Sequence, residues 1–293
     1  MNHQPDIIRF DDILYKSIGN YIIFEKPLSK SESNCYAALH IKTDMRYICK
    51  IFPKDKYEEY LQAYLIIGPH EHINEICDIL IGKTRVYAFF SMHYGKLYDK
   101  VRKEKQMLKT ICSLAKQIIS AVHICHKNGI VLKRLGIDSF VFKDKEQTQI
   151  KLLGLEDIQI IKNADSDRVT SLSSSKRFSS PEMLVANNSF SAKSANMFTV
   201  GIILNMLLRR KHPHHHRNPD IMASNIARNQ FSLTRYPAKA YHLIHNLLQT
   251  DPTSRLSANE IMEFPPNFFE WWEVNTSQRN TLDQLVPNDH TSG

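Results

Sequence analysis

The sequence predicts an α+β protein of two lobes, with a small strand-rich lobe first, a larger helical lobe second and a short flexible tail at the end. The chain of 293 residues is long enough to bury a sizeable core, and its hydrophobic fraction of 42% is ordinary for a globular protein. Runs rich in β-branched and aromatic residues dominate its first third. Apolar residues at helical spacing dominate the rest, which favours a change from sheet to helices near residue 95.

The first lobe is predicted to occupy residues 1–94 and to contain several strands and one helix. Its clearest strands are 35–42, 47–52 and 85–91. Thr43-Asp44 separates the first two strands, which is typical of a hairpin. Apolar residues at helical spacing from Tyr57 predict a short helix, and Gly68-Pro69 predicts its end.

The second lobe is predicted to span residues 95–275 and to be mainly helical. An apolar stripe at gaps of three and four residues from Leu108 to Cys125 predicts a long core helix. Two short apolar runs, 140–142 and 150–153, predict a small hairpin. Further helices are predicted at 200–207 and 243–248.

The second half of the chain contains two polar segments and one signal for the start of a helix. Residues 163–180 are rich in Ser, Asp and Lys and are predicted to form a mobile loop. Ser257 and Glu260 have the spacing of a capping box, which predicts the start of the last helix. Residues 276–293 are polar and are predicted to form a flexible tail.

The net charge of +8 is compatible with an acidic protein, a nucleic acid or an anionic membrane as partner. The strongest basic cluster is interpreted as a solvated helix face or a linker; its members are Lys100, Arg102, Lys103, Lys105 and Lys109. We find no interleaved aromatic pattern or zinc-finger spacing, so we expect no direct nucleic-acid partner. No apolar run approaches the roughly 20 residues of a membrane-spanning helix, so we expect no membrane partner either.

The cysteines and histidines predict neither a disulfide framework nor a metal site. Five scattered cysteines fit reduced thiols of the cytosol or nucleus. The run His212-Pro213-His214-His215-His216 offers imidazole ligands, but adjacent histidines on one loop rarely converge on one ion without further anchors. We therefore expect no bound metal.

The order of strands and helices resembles that of a protein kinase over about residues 15–272, and four short motifs strengthen this resemblance. Tyr47-Ile48-Cys49-Lys50 resembles the strand whose lysine holds ATP phosphates. Glu59 is the expected partner of that lysine, and Glu58 is the alternative. Ser180-Pro181-Glu182 resembles the end of an activation segment. Arg255 stands where kinases carry the arginine that pairs with that glutamate, a structural contact.

The positions that carry kinase chemistry hold other residues here. Phosphoryl transfer needs a catalytic aspartate, magnesium ligands and a glycine-rich loop over the phosphates. The aspartate of the catalytic loop becomes Arg134, which cannot act as a base. The loop's lysine becomes Gly136, and the two magnesium ligands become Ser139 and Gly154. The three glycines become Ser29, Ser31 and Asn34.

These substitutions predict a pseudokinase and not an enzyme. A register shift that lets Glu156 or Asp157 bind the metal is the alternative at the magnesium site. We expect no cofactor, and ATP binding that is absent or very weak. Lys50 and Glu59 would then be a remnant of the nucleotide site that serves as a structural ion pair.

Three segments resemble the Tribbles pseudokinases. Gly154-Leu155-Glu156-Asp157 is similar to the Ser-Leu-Glu-Asp sequence that this family carries in place of Asp-Phe-Gly. Residues 117–132 resemble the Tribbles helix that leads to the pseudo-catalytic loop. Asp283-Gln284-Leu285-Val286-Pro287 matches the family motif that binds the WD40 propeller of a ubiquitin ligase. Arg134 and Gly136 depart from the family, which generally keeps the aspartate and lysine, so the resemblance implies a divergent member, and we expect an invertebrate one.

The resemblance implies an adaptor that brings a substrate to an E3 ubiquitin ligase for degradation. The substrate would be a bZIP transcription factor of the CCAAT/enhancer-binding class, docked on segment 154–180. Its docking residues would be Gly154, Leu155 and Glu156, and the ligase-binding residues would be Asp283, Gln284, Val286 and Pro287.

The resemblance also implies residence in the nucleus and cytoplasm and an effect on MAP-kinase signalling. A docking site for a MAP-kinase kinase would correspond to residues 264–269, where Pro265 and an aromatic residue survive. Two alternatives remain: a ligase-independent signalling scaffold or decoy of a kinase cascade, and an atypical active kinase.

Overall fold

In the computed structural model, the first lobe contains a six-stranded antiparallel sheet. The structure describes residues 15–29, 32–161, 167–172, 175–185, 189–229, 238–265 and 268–269. The strands of the sheet are β1 (Tyr15–Ile18), β2 (Tyr21–Ser29), β3 (Glu32–His40), β4 (Arg46–Pro53), β5 (Ile76–Ile81) and β6 (Arg85–Ser91). Their spatial order is β1-β2-β3-β4-β6-β5, and helix α1 (Tyr57–Ile67) lies between β4 and β5 in the chain.

Most elements of this lobe confirm the sequence prediction. The β3–β4 hairpin turns through Asp44, whose φ is 54°. Helix α1 begins at Tyr57 and stops before Gly68, where a φ of 69° suits a residue without a side chain. Strands β1, β2 and β5 were not predicted, and in β5 Asp78 interrupts the apolar run. The Tyr21 hydroxyl donates a hydrogen bond of 3.2 Å to the Asp78 carboxylate.

Strand β4 places its alternate side chains on two different cores. Cys49 lies in a small cluster on one face of the sheet, where Tyr21 stacks on Phe89. Ile48 and Phe52 lie in the main core with α1. Lys50 shares the face of Ile48 and Phe52 because strand side chains alternate, so it points towards α1 and the second lobe.

The second lobe is built around two long buried helices. Its helices are α2 (Leu97–Lys103), α3 (Leu108–Lys127), α4 (Pro181–Leu184), α5 (Ala192–Arg209), α6 (Pro219–Ala227), α7 (Ala238–Leu247) and α8 (Ala258–Met262). The predicted stripe of α3 is buried in the main core. Helix α3 is also long and apolar enough to cross a membrane by composition alone, a property that buried core helices share. The Ser257–Glu260 capping box is present at the start of α8.

Short strand pairs connect these helices. The predicted hairpin is β8 (Phe140–Phe142) with β9 (Ile150–Leu152). Two further pairs are β7 (Ile130–Leu132) with β10 (Ile158–Ile160), and β11 (Arg168–Val169) with β12 (Phe190–Ser191). The described part of segment 163–180 therefore contains a strand and a 3-10 turn at Lys176–Phe178, two regular elements that the prediction of a mobile loop did not include, and the mobility stays a prediction. Elements of two or three residues are too short for a periodic pattern to reveal.

Candidate functional site

Lys50 is held by Glu156 and not by the glutamate expected from the sequence. The Lys50 Nζ lies 2.6 Å from Glu156 Oε1, and the two side chains are only 17% and 15% exposed. The same ammonium lies 5.4 Å from the centroid of the Phe90 ring. Glu59, the predicted partner, is exposed on α1. The structure therefore corrects the predicted Lys50–Glu59 ion pair.

The rotation of α1 explains this correction. Leu61, Ala63 and Tyr64 are its buried residues, whereas Glu59 is exposed to solvent and does not face the cleft. Tyr64 occupies the position facing the cleft, and its hydroxyl donates a hydrogen bond of 3.0 Å to Glu156 Oε1. Burial, and then the neighbouring carboxylate of Glu156, raises the pKa of Tyr64. Glu156 Oε1 thus accepts hydrogen bonds from two elements of the first lobe, from β4 through Lys50 and from α1 through Tyr64.

A turn at residues 154–157 aims Glu156 inwards. Gly154 has a φ of +82°, a conformation that residues with a side chain rarely adopt, and the Asp157 amide donates to the Gly154 carbonyl. Leu155 is fully buried in the main core. Of the three predicted substrate-docking residues, only Gly154 is exposed.

Asp157 faces a different pair of cations from Glu156. Its carboxylate lies 3.8 Å from Lys133 Nζ and 3.4 Å from Arg134 Nε. Arg134 stands at the position predicted for the catalytic base. The two neighbouring carboxylates are therefore held by separate positive groups. Within the described ranges, no group of three His, Cys, Asp or Glu side chains is arranged to hold a metal ion.

Hydrogen bonds between its own residues hold the rest of the pseudo-catalytic loop in place. The Ser139 hydroxyl accepts from the Gly136 amide at 3.1 Å and donates to the Arg134 carbonyl at 3.2 Å. A Cβ added at Gly136 would lie 3.2 Å from the Phe178 ring. Phe178 therefore fills the space beside the loop that a side chain at position 136 would need.

Asn196 anchors the same loop from within α5. Its amide donates to the Leu132 carbonyl at 2.8 Å, and its oxygen accepts from the Leu132 amide at 3.0 Å. His126 Nε2 lies 3.3 Å from the same oxygen. Burial lowers the pKa of His126 to about 4. Our sequence reasoning missed Asn196, although an amide among the apolar residues of a core helix is a signal for a buried polar contact.

Arg255 and Glu182 join the end of the activation segment to the helical lobe. The two terminal guanidinium nitrogens donate to the two Glu182 oxygens at 2.7 and 3.0 Å. The Arg255 side chain is fully buried, and that of Glu182 is 11% exposed. Arg255 also donates to the carbonyls of Ser194 and Gln249.

The histidine run fastens a loop to the same segment. His212 Nε2 donates to the Arg177 carbonyl at 2.6 Å, while its Nδ1 accepts from the His214 amide at 3.1 Å. Burial lowers the pKa of His212 to about 3 and that of His214 to about 4. Both rings are therefore neutral and contribute to packing.

Several predicted residues lie outside the part of the chain that the structure describes. Ser31 is one of them, and so are the ligase-binding residues, Asp283, Gln284, Val286 and Pro287. The backbone of Ser29 pairs with Glu32, and Asn34 is exposed. Their predicted roles stay predictions.

Comparison with known proteins supports the class that this fold and site indicate. Residues 30–266 match the protein kinase domain. Three relatives align over 92% of the chain. They are Tribbles homolog 2 of Bos taurus (34% identity over 79% of the relative), Tribbles homolog 1 of Homo sapiens (34% over 72%) and Tribbles homolog 3 of Mus musculus (31% over 77%).

The chain belongs to the Tribbles family of pseudokinases. This result confirms the predicted bilobal kinase-like fold and the family that the sequence motifs indicated. The invertebrate origin stays a prediction.

Proposed function

We propose that this chain is an adaptor that brings a substrate protein to a WD40-containing E3 ubiquitin ligase for degradation. The observation that carries the proposal is the occupied pseudo-active site, in which Glu156 engages Lys50 and Tyr64. A kinase fold whose cleft is closed by its own side chains still offers its surface for binding. Membership of the Tribbles family supports the same conclusion.

The chain transfers no phosphoryl group in this proposal. The reaction depends on a base and on magnesium held by side chains, and loss of a single preorganised electrostatic group typically costs about 3–4 kcal/mol of transition-state stabilisation. Arg134 at the position of the base brings a positive charge, and Gly154 and Ser139 replace the two metal ligands. Glu156 and Asp157 are the remaining carboxylates, and each faces cations of the protein.

ATP binding is absent or very weak for a related reason. The lysine that would contact phosphates forms a short ion pair in a nearly buried position. A nucleotide would have to compete with Glu156 for Lys50, which would leave the Glu156 carboxylate without a compensating positive charge in a poorly solvated place. No cofactor is therefore part of the proposed function.

The substrate is proposed to be a bZIP transcription factor of the CCAAT/enhancer-binding class, docked on segment 154–180. Leu155 and Glu156 face inwards, so docking through their side chains requires the turn at 154–157 to leave its buried position. The free energy of that step would lower the apparent affinity for the substrate. Substrate capture and the state of the cleft would thereby be coupled.

A role in MAP-kinase signalling, in the nucleus and cytoplasm, completes the proposal. The segment expected to contact a MAP-kinase kinase contains Phe264, Phe268 and Phe269, which pack partly buried against the main core. The Phe264 and Phe268 ring centroids lie 4.6 Å apart. A partner there would contact the rim of this aromatic cluster. Neither a nucleic acid nor a membrane is part of the proposal.

The test is a calorimetric titration of the full chain with the WD40 domain of the ligase. We expect micromolar or tighter binding, lost in the double variant Val286→Ala/Pro287→Ala, because a Val-Pro pair fills an apolar pocket with little loss of chain entropy. Asn288→Ala, next to the motif, is the control and should bind as the parent chain does. Binding that survives the double variant would contradict the proposed ligase contact and favour a ligase-independent scaffold.

A further inference from the structure

Nearly all of the excess positive charge of the chain is gathered on one surface of the helical lobe. This surface, the basic ridge, consists of residues 100–109 and 209–211. It contains eight lysines and arginines against one carboxylate, that of Glu104. Its net charge of +7 compares with +8 for the entire chain.

Arg210 joins the two segments of the basic ridge. It ends α5 in a left-handed conformation, with a φ of 57°. Its side chain donates to the carbonyls of Val101 and Arg102 at 3.1 and 2.6 Å, at the end of α2. These contacts bring together cations that are more than a hundred residues apart in sequence, which the sequence alone did not reveal.

Five cations of the basic ridge are exposed and form no ion pair with a carboxylate among the described residues. Arg102, Lys103, Lys105, Lys109 and Lys211 are all exposed. Among the described residues, none of these five forms an ion pair with an acidic side chain. Concentrated like charges cost free energy through mutual repulsion, and a bound polyanion relieves that cost.

One apolar side chain accompanies these charges. Met107 is 74% exposed, the highest value among the large hydrophobic residues that the structure describes, and it lies between Lys105 and Lys109 in sequence. Methionine adapts its shape to different protein partners and is enriched in protein interfaces.

The composition of the basic ridge argues against other polyanions. Its two segments contain no aromatic residue on which bases could stack. Leu97 and Val101, the apolar residues of α2, are buried in the lobe, so α2 presents no apolar face for insertion into a membrane.

We propose that the basic ridge is a docking surface for an extended protein segment that is rich in Asp and Glu and carries one apolar side chain for Met107. This surface shares no residue with the predicted ligase-binding motif or with the cleft around Lys50. It gives the adaptor a second contact, for which the partner is recognised by its carboxylates and not by phosphate.

The test is a fluorescence anisotropy titration of the full chain with a short labelled peptide of alternating Asp and Glu around a central Leu. The variant Lys103→Ala/Lys105→Ala/Lys211→Ala removes three cations of the basic ridge. We expect its affinity to fall by about tenfold at low salt, the combined effect of three exposed ion pairs. Lys42→Ala/Lys54→Ala/Lys83→Ala is the control, because it removes the same charge from exposed positions of the first lobe. It should lower the affinity by less than about twofold.

Further arms decide the class of partner. Met107→Ser should weaken peptide binding at a salt concentration that screens the ion pairs. Equal losses in the two triple variants would overturn the proposal, because net charge and not the basic ridge would then determine binding. Tighter binding to oligouridylate RNA or to phosphatidylserine vesicles than to the peptide would also overturn it. Thermal unfolding of each variant verifies that the fold is intact.

Discussion

At the scale of single residues, Glu156 links the two lobes across the cleft. One of its oxygens accepts from Lys50 at 2.6 Å and from Tyr64 at 3.0 Å, so it connects the sheet, α1 and the turn at 154–157. Asp157, the next residue, turns towards Lys133 and Arg134 instead. Adjacent carboxylates therefore have distinct and separable roles.

Glu156→Gln is expected to increase the affinity of the chain for ATP without restoring catalysis. The variant weakens the hold on Lys50, whose charge then becomes available to phosphates, while Arg134 still occupies the position of the base. A titration with a fluorescent ATP analogue in the absence of magnesium measures the change. Asp157→Asn is the matched control and should leave the affinity unchanged, and an equal effect of both variants would contradict this role of Glu156.

The residue scale also shows where sequence reasoning reached its limit. The helical spacing around Tyr57 predicted α1, but spacing does not determine how a helix is rotated against a sheet. Glu59 therefore looked like the partner of Lys50, whereas Tyr64 faces the cleft. Glu156 was recognised by its motif. Its contact with Lys50 joins residues that are 106 positions apart in the sequence, and no local pattern encodes such a contact.

At the scale of elements, the activation segment is fixed at several points along its described part. Glu182 pairs with Arg255, Phe178 packs against Gly136, and Arg177 accepts a hydrogen bond from His212. The sequence predicted the first contact through two spaced motifs. It predicted a loop for the remainder, because β11 and β12 contain only two residues each and pair across a distance of about twenty residues.

Glu182→Gln is expected to lower the free energy of unfolding by about 3 kcal/mol. The change removes the only carboxylate that pairs with Arg255 among the described residues, so its positive charge is left uncompensated at a fully buried position. Urea denaturation of the two proteins measures the difference. Asp220→Asn breaks the exposed pair with Lys176 and should have little effect. A similar loss in both variants would show that burial of the Glu182–Arg255 pair does not increase its contribution to the free energy of unfolding.

At the scale of the whole molecule, buried neutral histidines make stability depend on pH. The pKa of His126 is about 4 and that of His212 about 3, both below the ordinary value near 6.5. Between pH 6.5 and the lower values, the unfolded chain binds protons that the folded chain excludes. Stability is therefore retained above pH 6.5 and lost as the pH falls.

Each such histidine should lower the free energy of unfolding by up to about 1.4 kcal/mol per pH unit within that window. Urea denaturation between pH 7 and pH 5 measures the slope. His126→Gln should reduce the slope by about one proton, whereas His216→Gln, at an exposed position, should not. An unchanged slope in His126→Gln would assign the pH dependence to other groups.

The whole molecule combines a cleft in which Lys50 is paired with Glu156 and a basic ridge with exposed cations. The two-lobed architecture could be predicted because periodicity changes from strands to helices near residue 95, and the positions expected to carry kinase chemistry could be aligned through their order. The sequence indicated only the first segment of the basic ridge, residues 100–109. Residues 209–211 come next to that segment only in the folded chain.

Reconstituted ubiquitination tests the adaptor role most directly. The reaction contains the full chain, the WD40-containing ligase and a CCAAT/enhancer-binding transcription factor. We expect ubiquitin chains on the transcription factor that require the chain and disappear with Val286→Ala/Pro287→Ala. Modification that proceeds equally without the chain, or equally with the double variant, would contradict the adaptor function.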